Sequence, residues 1–128
     1  MIPTRRGADA YRNLEAQSRT PLELVVMLYD GALRFSREAR EAHAQNNRAA
    51  RGRAISRALA IIGELQNTLN VQQGGAVAAE LDRLYSYVTA RLLEVSTKND
   101  GAPLDEVCGL LTTLREGWLG VASGTTAR

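Results

Sequence analysis

Apolar residues recur along this chain with the period of an α-helix, beginning at Thr20 and continuing to about Val121. Within this span they return every three or four positions, a spacing that gathers them on one side of a helix. No segment shows the alternation of period two that is typical of a half-buried β-strand. The pattern therefore predicts an all-α protein.

Short polar or glycine-containing stretches divide the span into four predicted helices. The first opens with a capping box, Thr20-Pro21-Leu22-Glu23, in which the threonine hydroxyl and the glutamate can satisfy free backbone N–H groups. The predicted helices cover 20–44, 48–69, 76–98 and the residues from Pro103 onward. Such helices with short connections predict an antiparallel up-down four-helix bundle. We expect the bundle to span 20–122, preceded by a short N-terminal arm at 1–19 and followed by a flexible tail at 123–128.

Spacing within each helix predicts which residues form the core. In the first helix we expect Leu28, Tyr29 and Phe35 to be buried. In the third helix the stripe at spacings of three and four comprises Val77, Leu81, Leu84, Val88, Leu92 and Val95. Apolar residues beside these stripes widen the second and third helices beyond what a four-helix core needs. We expect this excess to line a groove for an incoming amphipathic helix, formed by Ile61, Leu65, Tyr85, Leu92 and Leu93.

The first half of the first helix is apolar on two sides, as the run Leu22 to Tyr29 makes plain. A helix in a protein of this size normally keeps a polar face. The polar segment before it, 8–20, carries two isolated apolar anchors, Tyr11 and Leu14. We therefore expect this arm to act as a lid that packs back onto the bundle. An ordinary arm on a bundle with no partner is the simpler alternative.

Composition and charge fit a single domain, since the chain has 128 residues, a mass of 13.9 kDa and a net charge of +2. The longest aliphatic run, Leu24 to Leu28, is too short to cross a bilayer. Because the N-terminus also lacks the apolar region of a signal peptide, we expect a cytoplasmic protein without direct membrane insertion. Four arginines, Arg48, Arg51, Arg53 and Arg57, leave open a basic helical module that binds nucleic acid or an acidic partner. No aromatic residue interleaves with them, which favours a solvated face instead.

Residues for catalysis and metal binding are scarce. His43 is the only histidine and Cys108 the only cysteine. A disulfide within the chain is therefore impossible, and the usual zinc sites lack ligands. No glycine-rich phosphate loop occurs. The sequence predicts a binding protein with no catalytic residues, no metal and no cofactor.

Four segments, taken in order, are similar to a known family. "AYRNLEAQSRTPLELVVMLYDGAL" (10–33) resembles the start of flagellin export chaperones of the FliS family, with an Ala-Tyr arm, a Thr-Pro helix start and a Leu-Tyr-Asp-Gly ending. "IIGELQNTLN" (61–70) is similar to the end of that family's second helix. "LYSYVTARLLEVSTKND" (84–100) resembles its third helix, and "LREGWLGV" (114–121) its closing helix. The resemblance covers almost the whole chain.

This resemblance implies a four-helix bundle that holds the disordered C-terminal segment of newly made flagellin in the cytoplasm. It also implies that the chaperone prevents premature polymerisation and passes flagellin to a component of the type III export gate. The family's N-terminal arm can lie over part of the groove and give way to flagellin. By motif match, that role falls on Tyr11. Neither nucleotide nor metal is implied, and nucleic acid is not an expected partner.

Overall fold

A computed structural model describes residues 20–69 and 71–123 of the chain. These residues form four helices, α1 (Pro21–Ala44), α2 (Arg48–Asn67), α3 (Val71–Lys98) and α4 (Ala102–Ser123). Within the described part of the chain there is no β-strand. The prediction of an all-α four-helix bundle is confirmed. The predicted arm lies outside the described residues, and so does the predicted tail apart from Ser123, which ends α4.

The four helices form a ring in which each packs against its neighbours in sequence, and α1 also packs against α4. Consecutive helices are joined by only a few residues, so they run in alternating directions. α1 and α3 lie diagonally across the ring, and α1 makes the most extensive contacts. The core contains a fully buried aliphatic set, Ile62, Leu65, Val88, Leu92, Val95, Leu104, Val107 and Leu111.

The start of α1 follows the predicted capping chemistry. The backbone N–H of Glu23 donates to Thr20 Oγ1 at 3.1 Å, and that of Thr20 donates to Glu23 Oε1 at 2.9 Å. Further along α1, Gly31 stands against α2, since a Cβ added there would lie 2.8 Å from Ile61 Cδ1. This glycine therefore allows α1 and α2 to approach closely, at a cost in helix propensity of about 1 kcal/mol.

The apolar stripe of α3 differs from the predicted one. Ala78 and Tyr85 are buried, whereas Val77 is 70% exposed. The observed inward set, Ala78, Leu81, Tyr85, Val88, Leu92 and Val95, keeps a strict alternation of three and four residues. That alternation averages 3.5, the period of helices packed in a left-handed bundle, so it follows the core better than the predicted stripe does.

A kink divides α3 near its start. Gly75 has φ 59° and ψ −135°, a backbone conformation essentially restricted to glycine. The helix begins at Val71, five residues before the predicted start at Ala76. The regular part of α3 follows the kink at Gly75. On the other side of the same α2–α3 connection, α2 ends at Asn67 rather than at the predicted Leu69.

Replacing Gly75 by alanine is expected to lower the free energy of unfolding by about 1–3 kcal/mol, because an L-residue is strained in this conformation. Gly52 is the matched control: it lies inside α2, and a Cβ added there meets nothing within 4 Å. Gly52→Ala should raise stability by about 1 kcal/mol through helix propensity alone. Urea denaturation of both variants checks this, and a stabilising Gly75→Ala would contradict the kink.

The end of the bundle opposite the start of α1 is closed by a buried arginine. One guanidinium nitrogen of Arg51, Nη1, donates to Asn99 Oδ1 at 2.8 Å and lies 3.0 Å from His43 Nδ1. Because arginine only donates, His43 accepts at Nδ1. A Cβ added at Gly101 would lie 2.5 Å from the His43 ring, so the connection between α3 and α4 packs directly on it. These polar contacts tie α1, α2 and the α3–α4 connection together.

Candidate functional site

An apolar cleft of about 590 Å³ opens at the end of the bundle where α1 begins, α2 meets α3, and α4 ends. We call it the end cleft. Residues from α1, α3 and α4 and from the α2–α3 connection line it. They are Pro21, Leu22, Leu24, Val25, Leu28, Thr68, Leu69, Gly74, Val77, Ala78, Leu81, Tyr85 and Trp118. Its size is in the range of ligand-binding clefts, and its lining is predominantly apolar.

The end cleft exists because the first turns of α1 are only partly covered. Residues 22 and 24–28 are all half-buried, and full burial begins at Tyr29. The predicted burial of Tyr29 is confirmed, whereas Leu28 and Phe35 are only half-buried and pack against the edge of the core. The two-sided apolar pattern of this segment therefore reflects one side facing the core and another facing the end cleft.

Tyr85 forms part of the wall of the end cleft and bonds to a second buried tyrosine. The hydroxyl oxygens of Tyr29 and Tyr85 are 2.5 Å apart, and the ring centroids are 6.3 Å apart with the ring planes tilted by 53°. Burial raises the pKa of both phenols, and the smaller effect of the nearby Trp118 lowers it. The two hydroxyls therefore remain protonated, and they join the diagonal helices α1 and α3.

The five residues predicted to line a groove do not share a surface. Leu65, Tyr85 and Leu92 are at most 1% exposed, so placing them at the outer edge of their helices was wrong, and of the three only Tyr85 lines the end cleft. They face inward because the 3.5-residue alternation of the bundle directs these positions into the core. Ile61 is half-buried with its Cδ1 beside Gly31 of α1, and only Leu93, at 49%, is exposed.

Sequence reasoning missed most of the cleft wall. The spacing of apolar residues places Val25, Leu28 and Trp118 in the core and gives Leu24 no separate role. The signal in the sequence is the apolar run on two sides of α1, which also fits a surface covered by the arm. Tyr11 and Leu14 of that arm lie outside the described residues, but Pro21, at the start of α1, borders the end cleft.

Comparison with known protein families shows which family this four-helix chain belongs to. A family model described as flagellar protein FliS matches residues 4–125, nearly the whole chain. The chain belongs to the FliS family. The matched range includes the Leu-Tyr-Asp-Gly sequence of α1, which supplies Tyr29, and the Trp118 segment of α4.

Individual relatives agree with this assignment. The chain is 39% identical over 112 residues to the flagellar secretion chaperone FliSB of Pseudomonas aeruginosa, covering 86% of this chain and 89% of that protein. It is 36% identical over 120 residues to FliS of Salmonella typhimurium, covering 90% of this chain and 89% of that one. FliS of Bacillus subtilis is 35% identical over 109 residues, with 85% and 80% covered.

The arginines considered for nucleic-acid binding do not form one patch in this FliS-family chain. Arg51 is 5% exposed and is held by His43 and Asn99, so including it in a basic surface was wrong. Arg48, Arg53 and Arg57 are exposed. The Arg57 guanidinium lies 5.8 Å from the centroid of the Phe35 ring, and that of Arg34 lies 4.6 Å from it. Such cation–π contacts cover the half-buried Phe35.

Cys108 of α4 has the environment of a core residue. It is buried between the helices, and burial raises the pKa of its thiol. Among residues 20–69 and 71–123, no group of three or more His, Cys, Asp and Glu side chains is placed to hold a metal ion. None of the helices in this part of the chain combines the length and hydrophobicity that crossing a membrane requires.

Proposed function

We propose that this chain is a cytoplasmic export chaperone that binds the disordered C-terminal segment of flagellin in the end cleft. The open apolar end cleft is the observation that carries the proposal, and membership of the FliS family indicates the partner. An amphipathic segment can insert its apolar residues into such a cleft as it folds on binding. The ordering cost moderates the affinity, which suits a chaperone that must release its cargo.

In this proposal, occupation of the end cleft keeps flagellin from polymerising before export. Apolar surfaces that flagellin would bury in the filament are covered by the chaperone instead. The complex then delivers flagellin to a component of the flagellar type III export gate. None of these steps calls for a metal, a nucleotide or a catalytic residue.

Binding is tested with full-length cognate flagellin and with flagellin truncated at its C-terminal segment. Gel filtration of mixtures should give a complex with the full-length protein and none with the truncated one. Equal complex formation by both would contradict the assignment of the segment.

Salt dependence separates this proposal from a basic module that binds nucleic acid. An interface in an apolar cleft should keep its affinity to within a few-fold between 50 and 200 mM salt. Phosphate contacts by Arg48, Arg53 and Arg57 would instead weaken binding steeply over the same interval. Titration of a short DNA duplex and of the flagellin segment under identical conditions compares the two ligands directly.

The N-terminal arm completes the proposal as a lid on the end cleft. Residues 1–19 lead into α1 at Pro21, on the border of the cleft, so Tyr11 and Leu14 are within the chain's reach of it. Packing of Tyr11 onto the exposed apolar lining would protect the free protein from self-association. Flagellin and the arm would then compete for overlapping surface.

Deleting residues 1–17 is expected to increase self-association of the free protein, because the lining loses its cover. Affinity for the flagellin segment should stay the same or rise, since no arm has to be displaced. Titration calorimetry and light scattering on full-length and truncated proteins measure both quantities. A truncated protein that stays monomeric and binds more weakly would show an arm that grips flagellin instead of a lid.

A further inference from the structure

Among residues 20–69 and 71–123, the tyrosine pair beside the end cleft has one more O–H donor than it has acceptors for. Each hydroxyl carries one hydrogen, and the single bond between Tyr29 and Tyr85 uses one of the two. The second hydroxyl hydrogen has no acceptor among the described residues. The Trp118 indole N–H, which also lines the end cleft, is a donor and cannot accept this hydrogen. The cluster therefore has one O–H that no described residue accepts.

Both tyrosines are almost fully buried, and the position of their side chains indicates which hydroxyl lies nearer the end cleft. Tyr85 lines the end cleft and Tyr29 does not. Side chains on a helix lean toward its N-terminus, and for α3 that direction leads to the cleft, past Leu81 and Ala78. An arrangement in which Tyr29 donates to Tyr85 leaves the Tyr85 hydrogen directed toward the cleft.

We propose that Tyr85 is a specificity-determining residue whose hydroxyl donates a hydrogen bond to a side-chain oxygen on the apolar face of the helix bound in the end cleft. The inference rests on the proposed function and specifies the ligand further. A wholly apolar helix face would seal the cleft over an unpaired O–H and lose affinity. A face bearing one Ser, Thr, Asn or Gln among its apolar anchors would satisfy it. Backbone carbonyls within a helix are already occupied, so the acceptor is a side chain.

Two conservative variants form a matched pair for the test. Tyr85→Phe and Tyr29→Phe each remove one oxygen and the same bond between the hydroxyls, but only Tyr85→Phe removes the donor that faces the cleft. Titration calorimetry with the C-terminal segment of the cognate flagellin should give about a ten-fold loss of affinity for Tyr85→Phe. Tyr29→Phe should bind within about two-fold of wild type. Equal losses in both variants, or no loss in either, would overturn the inference.

A double-mutant cycle identifies the acceptor on the segment. Each polar residue of the segment is replaced in turn by an apolar residue of similar shape, such as Ser→Ala or Thr→Val, and titrated against wild type and both variants. One replacement should lose its effect in Tyr85→Phe and keep it in Tyr29→Phe. A complete series without such coupling would overturn the side-chain acceptor. Failure of the proposed function is distinguishable, because the wild-type protein would then not bind the segment at all.

Discussion

Replacing Val77 by aspartate is expected to weaken binding of the flagellin C-terminal segment by about 100-fold or more without disturbing the fold. Val77 lines the end cleft yet is 70% exposed, so the free protein loses little packing on substitution. It also lies just after the kink at Gly75, near the start of the regular part of α3, where a negative charge is favourable to the helix. An occupied cleft, however, would bury the new carboxylate among apolar groups, which costs several kcal/mol.

Leu93→Asp is the matched control for this experiment. Leu93 is on the same helix and is 49% exposed, but it does not line the end cleft. The two positions are about 24 Å apart along the helix at a rise of 1.5 Å per residue. Affinity should therefore be unchanged in Leu93→Asp, measured by titration calorimetry, with circular dichroism to check helicity in both variants. If Val77→Asp bound normally and Leu93→Asp bound weakly, the binding site would lie on the outer face of α3 instead.

The helices could be predicted from the sequence because their signals are local. The Thr20–Glu23 capping box and the polar connections depend on neighbours a few residues away. The orientation of α3 depended on a choice between two overlapping stripes that share four of their six positions. The packed bundle buries the stripe that alternates strictly between spacings of three and four. One contact that favours this stripe is the hydrogen bond between the hydroxyls of Tyr85 and Tyr29, which are 56 residues apart in the chain.

The location of the binding surface was harder to predict for the same reason. An excess of apolar residues indicates that some apolar helix surface stays exposed, but it does not indicate which surface the neighbouring helices leave uncovered. On α2 and α3, apolar residues expected at the surface are instead part of the core, as the burial of Leu65 and Leu92 shows. The excess on α1 stays open because α1 and α3 are diagonal and leave a gap at the end of the bundle. Only the arrangement of all four helices contains that information.

The contrast between core and cleft leads to a second large effect, on stability. Leu92 is fully buried, so Leu92→Ala should lower the free energy of unfolding by about 2–5 kcal/mol through lost contacts and a residual cavity. Leu28 is half-buried on the wall of the end cleft, and Leu28→Ala should cost only about 1–2 kcal/mol because less apolar area leaves water there on folding. Urea denaturation of the two variants measures both losses.

Flagellin binding should rank these two variants in the reverse order. Leu28 would contact the bound segment and Leu92 would not, so Leu28→Ala is expected to weaken binding by about ten-fold while Leu92→Ala leaves the affinity of the folded fraction unchanged. Because the same leucine-to-alanine change is made on α1 and on α3, the loss of side-chain volume is identical and only its location differs. Titrations at a temperature where both variants stay folded separate affinity from stability. If Leu92→Ala weakened binding as much as Leu28→Ala did, then the segment would enter the bundle between α1 and α3, and the end cleft would be only the mouth of a larger site.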